Sequence, residues 1–304
     1  PGATVPFGAV QLSPDTRAGN WDACSGYHYN DTTLKGFSHT HLSGTGCIDL
    51  GDILFRPTTL KPDLTTESIY QPAAFSHKDE DASAGYYSVV LKEEGIKAEL
   101  TATAHAGIHR YTFPSGKEAS IIIDLAHLLD NEYIYEAELE QTAANEITGM
   151  RRTRGWTDNQ YVYFVAQFSK PFQAIDFIQN KKMVSAGVKL NGTDLQACLS
   201  FDNSNGEPVI AKVGLSIVSE KNARENLEAE VTGFDFDAVR SAARSAWEQA
   251  LSAITVKGGN TDDLKNFYTA MYHSMVVPNV VSDINGEYRR HNMEIGQLPK
   301  GKVQ

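Results

Sequence analysis

The sequence predicts a mainly β protein, a large antiparallel β-sandwich followed by helices. Two observations carry this. Between about residues 50 and 218, short runs rich in β-branched and aromatic side chains recur between Gly, Pro and Asn turns. From about residue 221 the apolar spacing changes to three and four, the helical period.

The elements follow in order. Asp52 to Pro57 reads as a strand stopped by proline, and Tyr86 to Leu91 as a second. Ile96 to Ala104 alternates apolar and polar, which predicts one face toward water. His109 to Phe113 is closed by a Pro114-Ser115-Gly116 turn. Ser120 to Leu125 is apolar enough to be buried on both faces, and Gln160 to Phe168 and Val209 to Ile217 complete the β pattern. Leu227 to Val231 suggests an acidic linker helix. Asp237 is placed to cap Ala238 to Ile254, whose Trp247 lies on the apolar stripe. Thr261 is placed to cap a further helix, with Asp262 and Asp263 favoured in its first turn by the helix dipole. Leu264, Tyr268, Met271 and Met275 form its apolar stripe, and Pro278 ends it. Tyr288 to Met293 suggests a hairpin arm. These helices either pack on the sandwich or open a second domain, since an apolar helical face needs a partner.

Composition bounds the function. The 304 residues are 41% hydrophobic and 21% charged, with a net charge of -11. That balance argues against nucleic acid as a partner, because no basic stripe is present to neutralise phosphates. No apolar run reaches the ~18 residues needed to span a bilayer. The chain begins at Pro1 without an initiator Met, which reads as a processed or trimmed end. Cys24, Cys47 and Cys198 permit one disulfide, with Cys24–Cys47 one conceivable pairing and three buried thiols the plain alternative.

The densest chemistry lies in Gly36 to Asp52, which holds His39, His41, Cys47, Asp49, Asp52 and several hydroxyls among glycines. So many hydrogen-bonding groups need partners, which suggests the floor or rim of a polar site. His39 and His41, two apart on an extended segment, share a face and fit either a sugar pocket, a transition metal, or backbone carbonyls as partners. Trp21, flanked by Gly19, Asn20 and Asp22, is a candidate to stack on the C–H face of a sugar, and Trp156 is a lesser one. Phe7, Gly8 and Asp15 lie on a loop able to close over a ligand, although Asp15 after Pro14 also suits a plain Asx turn. Asp49 and Asp52 are read as turn and loop partners on an emerging strand rather than as an acid–base pair. Arg151 to Arg154 is read as a solvated, charged turn.

Pro6 to Thr16, with Trp21 to Tyr29 and the Gly36 to Asp52 segment, resembles the amino-terminal signature of glycoside hydrolase family 92, the calcium-dependent exo-acting α-mannosidases. The likeness returns in Phe267 to His273 and Pro278-Asn279. It implies a β-sandwich over residues 1–220, a helical linker over 221–260, and over 261–304 the first elements of an (α/α)6 barrel cut off in this chain. It also implies removal of terminal α-linked mannose, chiefly α-1,2, from glycans, by an inverting, calcium-assisted route. Substrate contacts would come from Trp21, His39, His41, Phe7, Gly8 and Asp15. The catalytic acid and base and the calcium ligands would lie beyond this chain, in the helical catalytic domain of the same parent, leaving no catalytic or metal residue here and the fragment inactive alone. A secreted or periplasmic location goes with that substrate. Two other readings are a stand-alone carbohydrate-binding sandwich and a metal-dependent hydrolase built on His39 and His41.

Overall fold

The computed structural model describes residues 2–19, 21–43, 48–60, 71–130, 133–184 and 189–303. Its centre is two antiparallel sheets packed face to face. Among the described residues one sheet runs, in spatial order, Ser13–Asp15, Gly36–Ser38, Leu54–Thr58, Ala119–Asp124, Leu195–Phe201, Ala174–Gln179 and Lys182–Val184. The other runs Leu190–Gly192, Tyr133–Ala143, Glu146–Arg154, Gln160–Phe168, Val209–Ser216, Ala106–Thr112, Ile96–Ala102, Tyr86–Leu91 and Glu80–Ser83. Alternate residues from both sheets fill the space between them. Phe37, Phe55, Tyr111, Phe164, Phe168 and Phe177 are fully buried there, and the Phe55 and Phe168 rings stack at 6.2 Å. Closed packing of this kind is the dominant source of stability in a sandwich.

Three helices follow: α1 (Glu220–Glu230), α2 (Phe236–Leu251) and α3 (Thr261–Ser274). Helix α1 lies on the outer face of the larger sheet, where Ala223 and Leu227 meet Ala106, Ile108 and Val165. Gly214 permits this approach, because a Cβ there would stand 2.4 Å from the Ala223 carbonyl oxygen. Leu227 to Val231 is thus sheet-bound rather than a free connector. Helix α2 covers the neighbouring strands, which corrects the expectation of a wet face on Ile96–Ala102. Glu99 and Thr101 on that face are buried. Glu99 survives burial because Arg110 Nε and Tyr86 Oη each donate to it at 2.8 Å, and Arg110 in turn binds Asp237 of α2.

The helix caps differ from the sequence reading by a residue or two. Asp235, not Asp237, caps α2 by accepting from Ala238 N. Asn260, not Thr261, caps α3 and forms a reciprocal capping box with Asp263. Asp237 remains in the first turn of α2, and Asp262 and Asp263 in that of α3, where their charge complements the helix dipole. Trp247 is core, with its indole N–H on the Thr4 carbonyl at 2.7 Å and its ring 4.4 Å from Tyr272. No residue of α3 is fully buried, so its apolar stripe is only half covered. Glu287–Arg289 and Ile295–Gln297 form the expected hairpin.

The run Arg151 to Arg154 is not a solvated turn. It ends the Glu146–Arg154 strand, and Arg151 is buried against Asp52. Among the described residues, no helix is long and apolar enough to cross a membrane.

Candidate functional site

The segment rich in glycine and histidine lies at one end of the sandwich. It leaves the Gly36–Ser38 strand, passes through residues 44–47, which lie outside the described residues, and returns through a backbone bridge between His41 and Leu50. Cys47 falls in that stretch, so its pairing with Cys24 is not described. The return is tight: Leu50, Gly51 and Ile53 all have positive φ, at 76°, 82° and 58°. A β-branched residue such as Ile53 rarely adopts this conformation. It is imposed here by the neighbouring Asp52 carboxylate, which is clamped from three elements. Arg151 Nη2 lies 2.7 Å from it, Thr40 Oγ1 donates at 2.6 Å, and Gln160 Nε2 donates at 2.8 Å. Asp49 and Asp52 therefore lie in the turn before the Leu54–Thr58 strand; Asp49 binds the Trp156 turn, and Asp52 binds two strands and Thr40.

A second buried carboxylate, Asp15, ends the first strand. His41 Nε2 approaches Oδ1 at 2.7 Å, while Ser38 Oγ and His127 Nε2 approach Oδ2 at 2.6 and 2.9 Å. Burial alone would raise its pKa, but the charge of His41 and the hydrogen bonds from His127 and His41 outweigh burial and hold it far below the usual carboxylate range. Gly26 packs on this carboxylate. At φ 79° and with a Cβ that would fall 2.3 Å from Asp15 Oδ1, that position takes only glycine.

His39 belongs to a different buried chain. Its Nδ1 faces the Ile53 carbonyl at 2.7 Å and its Nε2 faces His109 Nε2 at 3.0 Å, while His109 Nδ1 faces Tyr111 Oη at 2.7 Å. Only one proton arrangement satisfies all three contacts with neutral rings. His39 Nδ1–H donates to the carbonyl, His109 Nε2–H donates to His39, and the Tyr111 hydroxyl donates to His109. Burial pushes the His39 pKa down to about 4 and His109 well below the ordinary value.

These contacts decide what the two sequence-flagged histidines are free to do. His39 is fully enclosed, and both its ring nitrogens are used. His41 Nδ1 is on the Gln11 carbonyl at 2.7 Å and its Nε2 on Asp15, so both of its nitrogens are used too. Neither has a lone pair left for a transition metal, and neither presents a nitrogen to the surface. Asp15, His41 and His127 instead hold one another, tying the end of the Ser13–Asp15 strand to the loops after Ser38 and Asp124. Thr16 and Arg17, just after Asp15, hold Asp31, with Thr16 Oγ1 and Arg17 Nε donating at 2.7 and 2.8 Å. Arg17 also reaches Asp22 at 3.1 Å, and Cys24 Sγ lies 2.8 Å from the Trp21 carbonyl. The short helical turn Trp21–Ala23 is thereby fixed, with the Trp21 side chain 71% exposed.

Phe7 and Gly8 sit at the seam between sandwich and helices. Phe7 N–H donates to the Met275 carbonyl at 2.7 Å, Val280 N–H to the Phe7 carbonyl at 2.8 Å, and Asn279 Nδ2 to the Gly8 carbonyl at 2.6 Å. Phe7 has φ 59° and its ring is 43% exposed. Beside this seam is a cavity of 230 Å³, walled on one side by Thr40, His41 and Gln160 and on the other by Asn279, Val280 and Asp283. Asp283 is fixed by Ser216, Asn222 and Asn226, each at 2.7 Å.

The structure thus brings Asp15 and His41 together, places Phe7 and Gly8 at the seam, leaves Trp21 exposed on its own braced turn, and sets His39 in the core. His127 and Arg151 were missed by sequence reading. His127 had one local signal, its position three residues past the buried Ala119–Asp124 strand, where a chain enters an end loop. Among the described residues no group of three or more His, Cys, Asp or Glu side chains is arranged to hold a metal ion. Calcium takes six to eight oxygens, and the buried carboxylates at this end are already committed, Asp15 to Ser38, His41 and His127, Asp52 to Thr40, Arg151 and Gln160, and Asp49 to the Leu50 and Trp156 N–H groups. The described residues therefore do not fit a calcium site.

The fold and this end together define a sandwich domain joined to a helical region, with a cavity between them at the joint. Residues 1–216 match the glycosyl hydrolase family 92 N-terminal domain, and residues 222–302 match the family 92 catalytic domain. The chain belongs to glycoside hydrolase family 92. It is similar to a family GH92 alpha-mannosidase from Bacteroides thetaiotaomicron solved with mannoimidazole, at 37% identity and TM-score 0.92 over 98% of this chain and 40% of that one. A second GH92 family glycosyl hydrolase structure matches at 27% identity and TM-score 0.88, over 99% of this chain and 42% of that one. An uncharacterized secreted glycosidase of Arthroderma benhamiae is 29% identical over 94% of this chain and 40% of its own length. The chain therefore spans about 40% of the length of these relatives.

Proposed function

We propose that this chain forms the sandwich side of a secreted or periplasmic exo-acting α-mannosidase that removes terminal α-linked mannose, chiefly α-1,2, from glycans. One observation supports the reading beyond family membership. The exposed Trp21 is held on a loop that Arg17, Asp22 and Asp31 fix, and Arg17 follows the buried Asp15 that His41 and His127 hold. A rigid aromatic plane beside a polar seam suits a pyranose, whose C–H face stacks while its hydroxyls find polar partners. Phe7 and Gly8 would bound the same pocket from the seam. Asp15 and His41 act one layer behind, as positioning residues.

In this reading hydrolysis inverts the anomeric centre. One carboxylic acid protonates the leaving oxygen and one carboxylate activates water, the pair being set apart far enough to admit that water. Acid, base and calcium ligands are read as lying in other parts of the whole protein, with the 304-residue chain inactive alone, and the structural partners of Asp15, Asp49 and Asp52 support that reading. The relation of the A. benhamiae relative, described as secreted, supports the location.

The test is mannose release from α-1,2-mannobiose by the full-length protein, with the anomer followed by NMR. Release of β-mannose first is expected from the full-length protein and no release from residues 1–304. Failure of the full-length protein to release mannose from any α-mannoside overturns the reading.

A further inference from the structure

The outer face of the larger sheet carries exposed aromatic groups that the proposed pocket does not use. Trp156 sits in the turn between the Glu146–Arg154 and Gln160–Phe168 strands with 77% of its surface exposed, and Tyr133 is 61% exposed. Sheet register places Tyr133 opposite Arg154, next to that turn. Tyr133 meets Tyr135 edge to face at 5.2 Å. The Arg152 guanidinium lies 4.9 Å from the Tyr135 ring centre and 5.3 Å from that of Tyr161, and Arg289 covers Tyr161 at 4.2 Å. Rings and guanidinium groups thus alternate across three neighbouring strands.

Large apolar side chains left in water as a group mark an interaction surface. Their order marks its kind. Arg152 is fixed from below by two bonds to Asn159 Oδ1, one of 3.0 Å and one of 2.5 Å, and from the side by Glu136 at 3.6 Å, so the rings it touches are held before any ligand arrives. The Trp156 turn is also held in place: Trp156 N–H donates to Asp49 Oδ2 at 2.8 Å. Asp49 belongs to the histidine-bearing segment, so the Trp156 turn packs on the same loop that carries His41 and Leu50 toward the seam cavity.

We infer that Trp156, Tyr133, Tyr135 and Arg152 form an extended subsite that holds the distal sugars of a neutral mannan-type chain while its terminal residue occupies the pocket. This rests on the mannosidase reading. Prearranged rings offer stacking to successive pyranose C–H faces, and guanidinium groups offer donors to their hydroxyls. The chain's net charge of -11 makes a polyanionic strand the poorer occupant.

The test compares α-1,2-mannobiose with a linear α-1,2-mannopentaose, using the full-length protein and its Trp156→Ala and Tyr133→Ala variants. Loss of binding shared by ground and transition states raises KM and spares kcat. KM for the pentaose should rise about five- to twentyfold, far more than KM for mannobiose, with thermal midpoints preserved, as befits removal of exposed rings. Equal KM shifts for both substrates, or no shift for the pentaose, overturns the subsite. If the wild type hydrolyses neither substrate, the mannosidase reading fails, and calorimetric titration of the pentaose decides the platform by itself. Binding that is lost in both variants supports it, and a flat wild-type titration overturns it.

Discussion

Replacing Asp15 with alanine is expected to lower folding stability by about 3–5 kcal/mol, the usual cost of removing one member of a buried charged cluster. The side chain has no exposed surface and accepts from three separate elements: Ser38 on the adjacent strand, His41 beyond it, and His127 on the loop after Asp124. Without the carboxylate, two imidazoles and a hydroxyl are left buried and facing a void, and Gly26 loses the surface it packs on. Asp15→Asn keeps the volume and part of the hydrogen bonding and should cost clearly less. Urea unfolding of the two variants beside the wild type measures both. A loss under about 1 kcal/mol for Asp15→Ala would mean that the cluster is not held together by this group.

Acid is the second large perturbation. His39 and His109 are neutral in the fold, with the His39 pKa lowered to about 4 from 6.5. A depressed histidine pKa means that the unfolded chain binds more protons than the folded one as pH falls below 6.5. Stability is thus whole above pH 6.5 and declines down to about pH 4, where folded His39 also takes up its proton. For His39 alone the span corresponds to about 3 kcal/mol, since the group is fully buried and little screened. His105 works the other way. Burial lowers its pKa, but the hydrogen bond and charge of Glu230 outweigh burial and raise it, so its contribution is present below 6.5 and fades only as pH rises through the folded value. Two histidines against one leave a net loss. Denaturant unfolding at pH 7.5 and 4.5 should show the protein less stable at pH 4.5. Equal or greater stability in acid would contradict the buried neutral pair.

Much of this fold was legible because the strands that build the core are locally patterned. Gln160–Phe168 and Tyr86–Leu91 are bounded as their side chains suggest, and Ala119–Asp124 is buried on both faces. Errors arose where a residue's state depends on something distant in sequence. Arg151 resembles the rest of its charged run, and only Asp52, 99 residues earlier, makes it a buried residue. Glu99 has the alternation of a wet face until α2 folds over it. The site divides the same way. Glycine and polar density in Gly36 to Asp52 pointed to the end of the sandwich where Asp15, Asp52, His41 and His127 are buried together. The split of its histidines, His41 onto Asp15 and His39 into the core toward His109, is set by sheet pairing that no local spacing encodes. Helix caps moved by one or two positions because several adjacent Asp, Asn and Thr residues are competent to cap.

The central claim is that the sandwich contributes a rigid aromatic wall to the mannose pocket. The most direct measurement is kcat/KM for α-1,2-mannobiose in the full-length protein with Trp21→Ala. Trp21 is exposed, and its loop is held by Arg17, Asp22 and Asp31, so the variant should keep the wild-type thermal midpoint. Loss of the stacking plane should reduce kcat/KM about 10- to 100-fold, or roughly 1.4–2.7 kcal/mol of transition-state binding. An unchanged kcat/KM in a folded variant would contradict the account and leave the sandwich end without a part in sugar recognition.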